Sequence, residues 1–205
     1  EVNIISQHLA KPTQGTMKAT RRVLGYLAQP GVWDMTFWVN KTKVNKWVTY
    51  VDSDWAGESN YSHTKSRTGV IIFLNGLPIF WRSNKQPDTS LSSAQAEVYA
   101  LAEAARDVQL RLWVAEELLL QVVWPAVILV DNSSGIVFQQ SMNPTSKLKG
   151  VFNLRWNWVT ELQDKQRIKA VKVETKYNVA DILTKPLDCK TRSRLMQLVE
   201  NLREA

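Results

Sequence analysis

From Lys46 onward the chain changes texture in a set order, and that order limits the fold more than any single motif does. "KWVTYVDSD" (46–54), "TGVIIFLN" (68–75) and "LPIFWRSN" (77–84) are runs of β-branched and aromatic residues. Asn75-Gly76 joins the last two with the dipeptide best suited to a two-residue hairpin turn. Next comes "SLSSAQAEVYALAEAARDVQLRLWVAEELLLQ" (90–121), long enough for one helix or two, opening on the capping-box spacing Ser92-x-x-Gln95. "PAVILVD" (125–131) is short and continuously apolar, as strands buried at a sheet centre are. "NSSGIVFQQ" and "VFNLRWNWVTELQ" look helical, "IKAVKVET" is a strand, and "VADILTK" and "TRSRLMQLVENLRE" are helices. Upstream, residues 13–28 carry a helical stripe, "MTFWVN" has strand character and "KTKVN" is a loop. A meander of three antiparallel strands, then helix, strand, helix, strand, helix, makes an α/β fold: a mixed five-stranded sheet flanked by helices.

Acids sit at telling places on this plan. On a strand alternate residues share a face, so Tyr50, Asp52 and Asp54 point one way and Thr49, Val51 and Ser53 the other. Carboxylates closing a core strand are costly unless cations or hydrogen bonds compensate them. Asp52 ends the first strand, Glu97 falls in the first turn of the long helix, Asp131 ends "AVILVD" and Asp181 starts a late helix. Each has a local alternative. Asp52 can cap its own turn, Glu97 can answer the helix dipole, Asp131 can cap "NSSGIVF", and Asp181 can be a surface acid. Together they lie where α/β sheets gather functional groups, beyond the carboxyl ends of strands and at nearby helix starts.

Composition narrows the chemistry. With 205 residues, 44% of them hydrophobic, the chain can bury one ordinary core. Its apolar runs, "VIIF" and "AVILV", are too short to span a bilayer, so no membrane partner is expected. One cysteine, Cys189, excludes a disulfide framework and fits a reducing compartment; with only two histidines a zinc site is disfavoured. No "GxxxxGK[ST]" exists, which removes P-loop nucleotide hydrolysis. The opening "EVNIISQHLAKPTQG" has no apolar signal core, and the chain reads as a fragment of something longer. A net charge of +7 is concentrated at Lys11, Lys18, Arg21 and Arg22, and again at Lys147, Lys149, Arg155, Lys165, Arg167, Lys169, Lys172 and Lys176. Acids bordered by such segments suit a metal centre that receives a phosphodiester, though solvated helix faces would look the same.

The string "YVDSDWAG…SRTGVIIFLNGLPIFWRSNKQPDTSLSSAQAEVYALAEA…ILVDNSSGIVF…VKVET…NVADILTKPL" resembles the RNase H domain of Ty1/copia-type LTR retrotransposons over about residues 47–187. "LAKPTQGTMKATRRVLGYLAQPG" is similar to the tail of the preceding reverse transcriptase. The resemblance implies residues 1–45 as that tail, 46–190 as an RNase H-like domain and 191–205 as a C-terminal helix. It also implies cleavage of the RNA strand of RNA–DNA hybrids during reverse transcription, inside the cell in a cytoplasmic retrotransposon particle, with the nucleus as the alternative site, and with the polymerase in the same polyprotein as partner.

What the resemblance implies about the site is specific. Four carboxylates, Asp52, Glu97, Asp131 and Asp181, would be catalytic and hold two Mg²⁺ ions, for which Mn²⁺ substitutes, with Asp54 in support. Ser92, Ser93 and Gln95 would read the 2′-hydroxyl, and Lys85 and Gln86 would reach the nucleic-acid backbone. The chain departs from the family at "KGVFNLRWNW". Val151 and Asn157 stand where histidines are usual, Asn153 where an acid is usual, and the only histidines are His8 and His63. Trp156 and Trp158 read as packing residues. The altered segment keeps a catalytically silent hybrid-binding module as the alternative; an integrase or exonuclease of the same superfold fits Glu97 and "ADILTKPL" less well.

Overall fold

The computed structural model describes residues 2–30, 44–55, 65–90, 92–131 and 149–201. The "MTFWVN" strand, most of "KTKVN", the "NSSGIVFQQ" helix, Lys147 and His63 lie outside them. The chain divides into two compact units, Glu1–Val39 and Asn40–Ala205. The first holds α1 (Val2–Ser6) and the amphipathic α2 (Gln14–Leu27). Thr13 and Thr16 close a reciprocal capping box on α2: the Thr16 amide donates to Thr13 Oγ1 at 3.2 Å and the Thr13 amide to Thr16 Oγ1 at 2.8 Å.

The second unit is built on a five-stranded sheet of order β3-β2-β1-β4-β5. Its strands are β1 (Trp47–Asp54), β2 (Arg67–Leu74), β3 (Leu77–Lys85), β4 (Ala126–Val130) and β5 (Ile168–Lys172). The first three pair antiparallel; β4 and β5 join parallel to β1. Asn75 and Gly76 turn the β2–β3 hairpin with φ of 51° and 79°, the two positive values such a turn demands. The long helical run is one helix, α3 (Ser93–Glu117), begun by Ser92 Oγ accepting from the Gln95 amide at 3.2 Å. Then come α4 (Lys149–Asp164), α5 (Asp181–Thr184) and α6 (Cys189–Asn201). Strand order and directions are those of the RNase H-like fold that the resemblance implied.

Side-chain alternation sorts the sheet into two faces. Val51, Val70, Ile72, Ile128 and Ile168 join α3 and α4 in one apolar cluster, which also takes Trp156, with Trp158 packed against it. Tyr50, Ile71 and Phe73 join Val179, Ala180 and Val199 in the other. The anticipated parity of β1 therefore holds: Tyr50 faces one layer and its neighbour Val51 the opposite one. Arg82 on β3 ties α3 to the sheet by ion pairs of 3.0 Å to Glu103 and 2.7 Å to Asp107.

Candidate active site

Strands β1 and β4 run parallel with Val51 opposite Val130, so the next residue on each is an acid, Asp52 and Asp131. The third acid arrives from far along the chain. Buried Asn178 donates from Nδ2 to the Val51 carbonyl at 3.0 Å and accepts from the Ala180 amide at 3.2 Å, which ties the turn before α5 to β1. Ser83 Oγ on β3 donates to the Leu183 carbonyl at 2.6 Å. Gly69 faces Asp52 across β1 and β2. A Cβ at that glycine would stand 2.8 Å from Thr184 Cγ2, 2.9 Å from Leu183 Cβ and 3.0 Å from the Ala180 carbonyl, so the bare backbone lets α5 lie on the sheet. These contacts seat Asp181 beside Asp52. One carboxylate oxygen each from Asp52, Asp131 and Asp181 lies within 4.8 Å of the others.

Two residues that sequence reasoning did not single out complete the cluster. The Thr184 hydroxyl donates to Asp52 Oδ2. Lys185 Nζ lies 2.9 Å from Asp181 Oδ1 and 3.3 Å from Asp52 Oδ1. Both sat inside the quoted "ADILTKPL"; their spacing of three and four residues from Asp181 on a short helix was the available signal.

The electrostatics follow from burial. Asp52 and Asp181 are 5% and 7% exposed, and Asp131 is half-buried. Burial raises the Asp131 carboxyl above the usual carboxylate range, and the Asp52 charge adds to it. Burial also raises Asp181, opposed by its hydrogen bond from Lys185 and reinforced by Asp52. For Lys185, burial works against the charged ammonium but is outweighed by Asp52 and Asp181, so its pKa moves upward. One ammonium against three carboxylates leaves the group net negative. Convergent hard oxygens with surplus negative charge fit a small divalent cation.

The other residues named from the sequence fall into place differently. Glu97 is the fifth residue of α3, in its second turn rather than its first, because the helix begins at Ser93. It lines a pocket with Asp52, Asp131, Val51 and Ser53, but lies outside the close three-carboxylate group. The reason is geometric: α3 covers the Val51 face of the sheet, while α5 covers the Tyr50 face from which Asp181 arrives. β1 also continues to Asp54, so Asp52 lies two residues before the strand end. Ser92 and Ser93 are exposed at the start of α3 and Gln95 is half-buried there; Lys85 is half-buried at the end of β3.

Gln86 corrects the expectation that it reaches the nucleic acid. It is 2% exposed, its Nε2 donating to Thr68 Oγ1 at 3.1 Å and the Ala96 carbonyl at 2.9 Å, while its Oε1 accepts from Ser90 Oγ at 2.9 Å. Buried and satisfied, its amide holds the segment before α3 in place. Of the altered segment, Asn157 is exposed on α4.

No protein-family model matches the chain. It is similar to the "Retrovirus-related Pol polyprotein from transposon RE2" of Arabidopsis thaliana, 32% identical over 186 residues that make up 91% of this chain and 12% of that protein. It is also similar to the "Transposon Ty1-JR1 Gag-Pol polyprotein" of Saccharomyces cerevisiae, 26% identical over 93% of this chain and 11% of that protein. The chain thus spans about one eighth of the length of these curated relatives. Among solved structures it is similar to LC11-RNase H1 in complex with RNA/DNA hybrid, with 15% identity and a TM-score of 0.47, over 68% of this chain and 94% of that one. That likeness is distant, and the fold assignment stands on strand order and direction. An acid-bearing mixed sheet, joined to similarity along nine tenths of its length, means that the chain belongs to the Ty1/copia-type retrotransposon Pol polyproteins.

Proposed function

We propose that this chain is a ribonuclease H that hydrolyses the RNA strand of RNA–DNA hybrids during retrotransposon reverse transcription. The observation that carries the reading is the convergence of Asp52, Asp131 and Asp181 at the carboxyl ends of β1 and β4. These three, with Glu97 from the adjoining pocket wall, would hold two Mg²⁺ ions, for which Mn²⁺ substitutes. When bound, such ions activate water near neutral pH and stabilise a leaving 3′ oxygen. The chain's own residues supply the frame. Thr184 aims Asp52 through its hydroxyl, and Asn178 and Gly69 fix the approach of Asp181. Ser92, Ser93 and Gln95 open the helix that carries Glu97, where small polar groups suit a 2′-hydroxyl. Residues 1–45 are then the end of a reverse transcriptase, the partner in the same polyprotein, and 46–190 and 191–205 the nuclease domain and its closing helix, working inside the particle.

The test is cleavage of a labelled RNA–DNA hybrid by the 205-residue chain with Mg²⁺ and with EDTA, beside double-stranded RNA and double-stranded DNA. Hybrid-specific, Mg²⁺-dependent cutting of the RNA strand is expected, and Asp131→Asn should fold and lose it by ~10² or more, as when a preorganised electrostatic contact is removed. Wild-type rates from Asp131→Asn would overturn the assignment of the central strand. One observation favours a second reading, a catalytically silent hybrid-binding module: Glu97 stands outside the close carboxylate group. Salt-sensitive hybrid binding without cleavage would establish that reading instead.

A further inference from the structure

Lys185 has a place in this cluster that its three carboxylates alone do not explain. Its Nζ lies 3.3 Å from each oxygen of Asp52 and 2.9 Å from Asp181 Oδ1, so one ammonium spans the pair. It is also held there. The Lys185 amide donates to the Asp181 carbonyl at 3.1 Å, closing the last turn of α5, and Pro186 follows directly. Proline sets φ and cannot extend the helix, so the stem of Lys185 starts from a fixed point. The lysine side chain is a third exposed, enough to let its ammonium leave the carboxylates without unfolding α5. The cation is tethered, and its local concentration at Asp52 and Asp181 does not depend on the solution.

We propose that Lys185 is a built-in counter-cation that competes with a divalent ion for Asp52 and Asp181, and so sets how weakly that half of the site holds its ion. The inference rests on the metal-dependent reading above. An ammonium and a divalent ion at the same carboxylates repel each other and compete for the same oxygens, so an ion that binds to this pair does so against the charge of Lys185. Removing the charge removes the competitor and leaves all three acids in place. Lys185 spans Asp52 and Asp181, so Asp131 should feel the change less than that pair.

The test is calorimetric titration of Mn²⁺ alone into the metal-free 205-residue chain, for wild type, Lys185→Met, Lys185→Gln and Lys185→Arg. Loss of a unit charge a few ångströms from a divalent ion should tighten Mn²⁺ binding by about tenfold or more in the Met variant, even with strong screening. Lys185→Gln should tighten it similarly while keeping a donor for Asp181, which guards against a Met variant that folds poorly; folding is checked by circular dichroism. Lys185→Arg, still a cation, should stay within about threefold of wild type. The metal-free Met and Gln variants should also melt at lower temperature and regain more on adding Mn²⁺ than wild type does, as preferential binding to the folded state requires. Equal Mn²⁺ affinity in wild type, Met and Gln variants would overturn the inference while leaving the metal reading intact. Absence of Mn²⁺ binding in all four proteins would overturn both.

Discussion

Gln86 spends its whole amide inside the fold, bridging Thr68 on β2, Ser90 in the segment before α3 and the Ala96 carbonyl within α3. The same segment is held from its other side by Trp55, whose indole N–H donates to the Ser90 carbonyl at 3.0 Å. Substituting one partner in such a buried network leaves the others unsatisfied, which costs more than the bond itself is worth. Gln86→Leu should therefore destabilise the chain by ~2–3 kcal/mol. Urea unfolding measures this, and a loss below about 0.5 kcal/mol, the ordinary range for surface changes, would show that the amide is dispensable. Hydrogen exchange at the first amides of α3 should speed up in the same variant, because the cap at Ser92 loses its support. The residue acts on chemistry only through position: it anchors the helix that carries Glu97.

At the scale of elements, α5 decides the site. It has only four residues, too few to be stable by propensity, and it exists because β1, β2 and β3 each grip it. Gly69→Ala tests this grip. Its new methyl would meet Thr184, Leu183 and the Ala180 carbonyl at or below 3.0 Å, and backbone cannot yield as a flexible side chain does. Overpacking of this kind costs about 1–3 kcal/mol, and here it should also push Thr184 and Asp181 off Asp52 and weaken Mn²⁺ binding. Gly25→Ala in α2 is the control, since nothing lies within 4 Å of its would-be Cβ; in a helix interior alanine should gain up to about 1 kcal/mol over glycine. Thermal melts and Mn²⁺ titration of both variants separate the cases. If Gly69→Ala melts and binds Mn²⁺ as wild type does, α5 has room to shift and the close fit is not what places Asp181.

For the whole molecule, the surplus of +7 matters through where free cations face. Several basic residues are committed within the fold. Arg167 pairs with Glu116 and lies 4.4 Å over the Trp124 ring, and Lys165 pairs with Glu161 at 2.5 Å. Lys169 and Lys172 instead stand exposed on edge strand β5, and Lys172 is in register with Val130, the residue before Asp131. Lys172 lies at the sheet end where a phosphodiester would approach the acids and Lys169 three residues back along the strand, and lysines on an edge also discourage strand pairing with another chain. Replacing both by Gln should weaken hybrid binding and flatten the slope of log affinity against log salt by about 1–2. Fluorescence anisotropy from 50 to 300 mM salt (roughly the range where counterion release is resolved) measures it. An unchanged slope would move the binding face away from β5. Among the described residues no helix is long and apolar enough to cross a membrane.

The elements and the faces of the strands were legible from the sequence because they depend on neighbours a few residues apart. Alternation along "TYVDSD" settles that Tyr50 and Asp52 share a face, and the Asn-Gly turn settles the hairpin, whatever the rest of the chain does. Asp52, Asp131 and Asp181 were legible as candidates for the same reason, each sitting at or near an element's end. What they form together was not. Asp52 and Lys185 are 133 residues apart, and they meet only because β4 inserts parallel to β1 and α5 then folds back over the glycine opposite Asp52. The fate of Gln86 and the distance of Glu97 from the close group were likewise decided by which layer each helix covers. Local periodicity reports which way a side chain points; whether it finds a cation, a hydroxyl or water there depends on contacts between segments that only the packed sheet brings together.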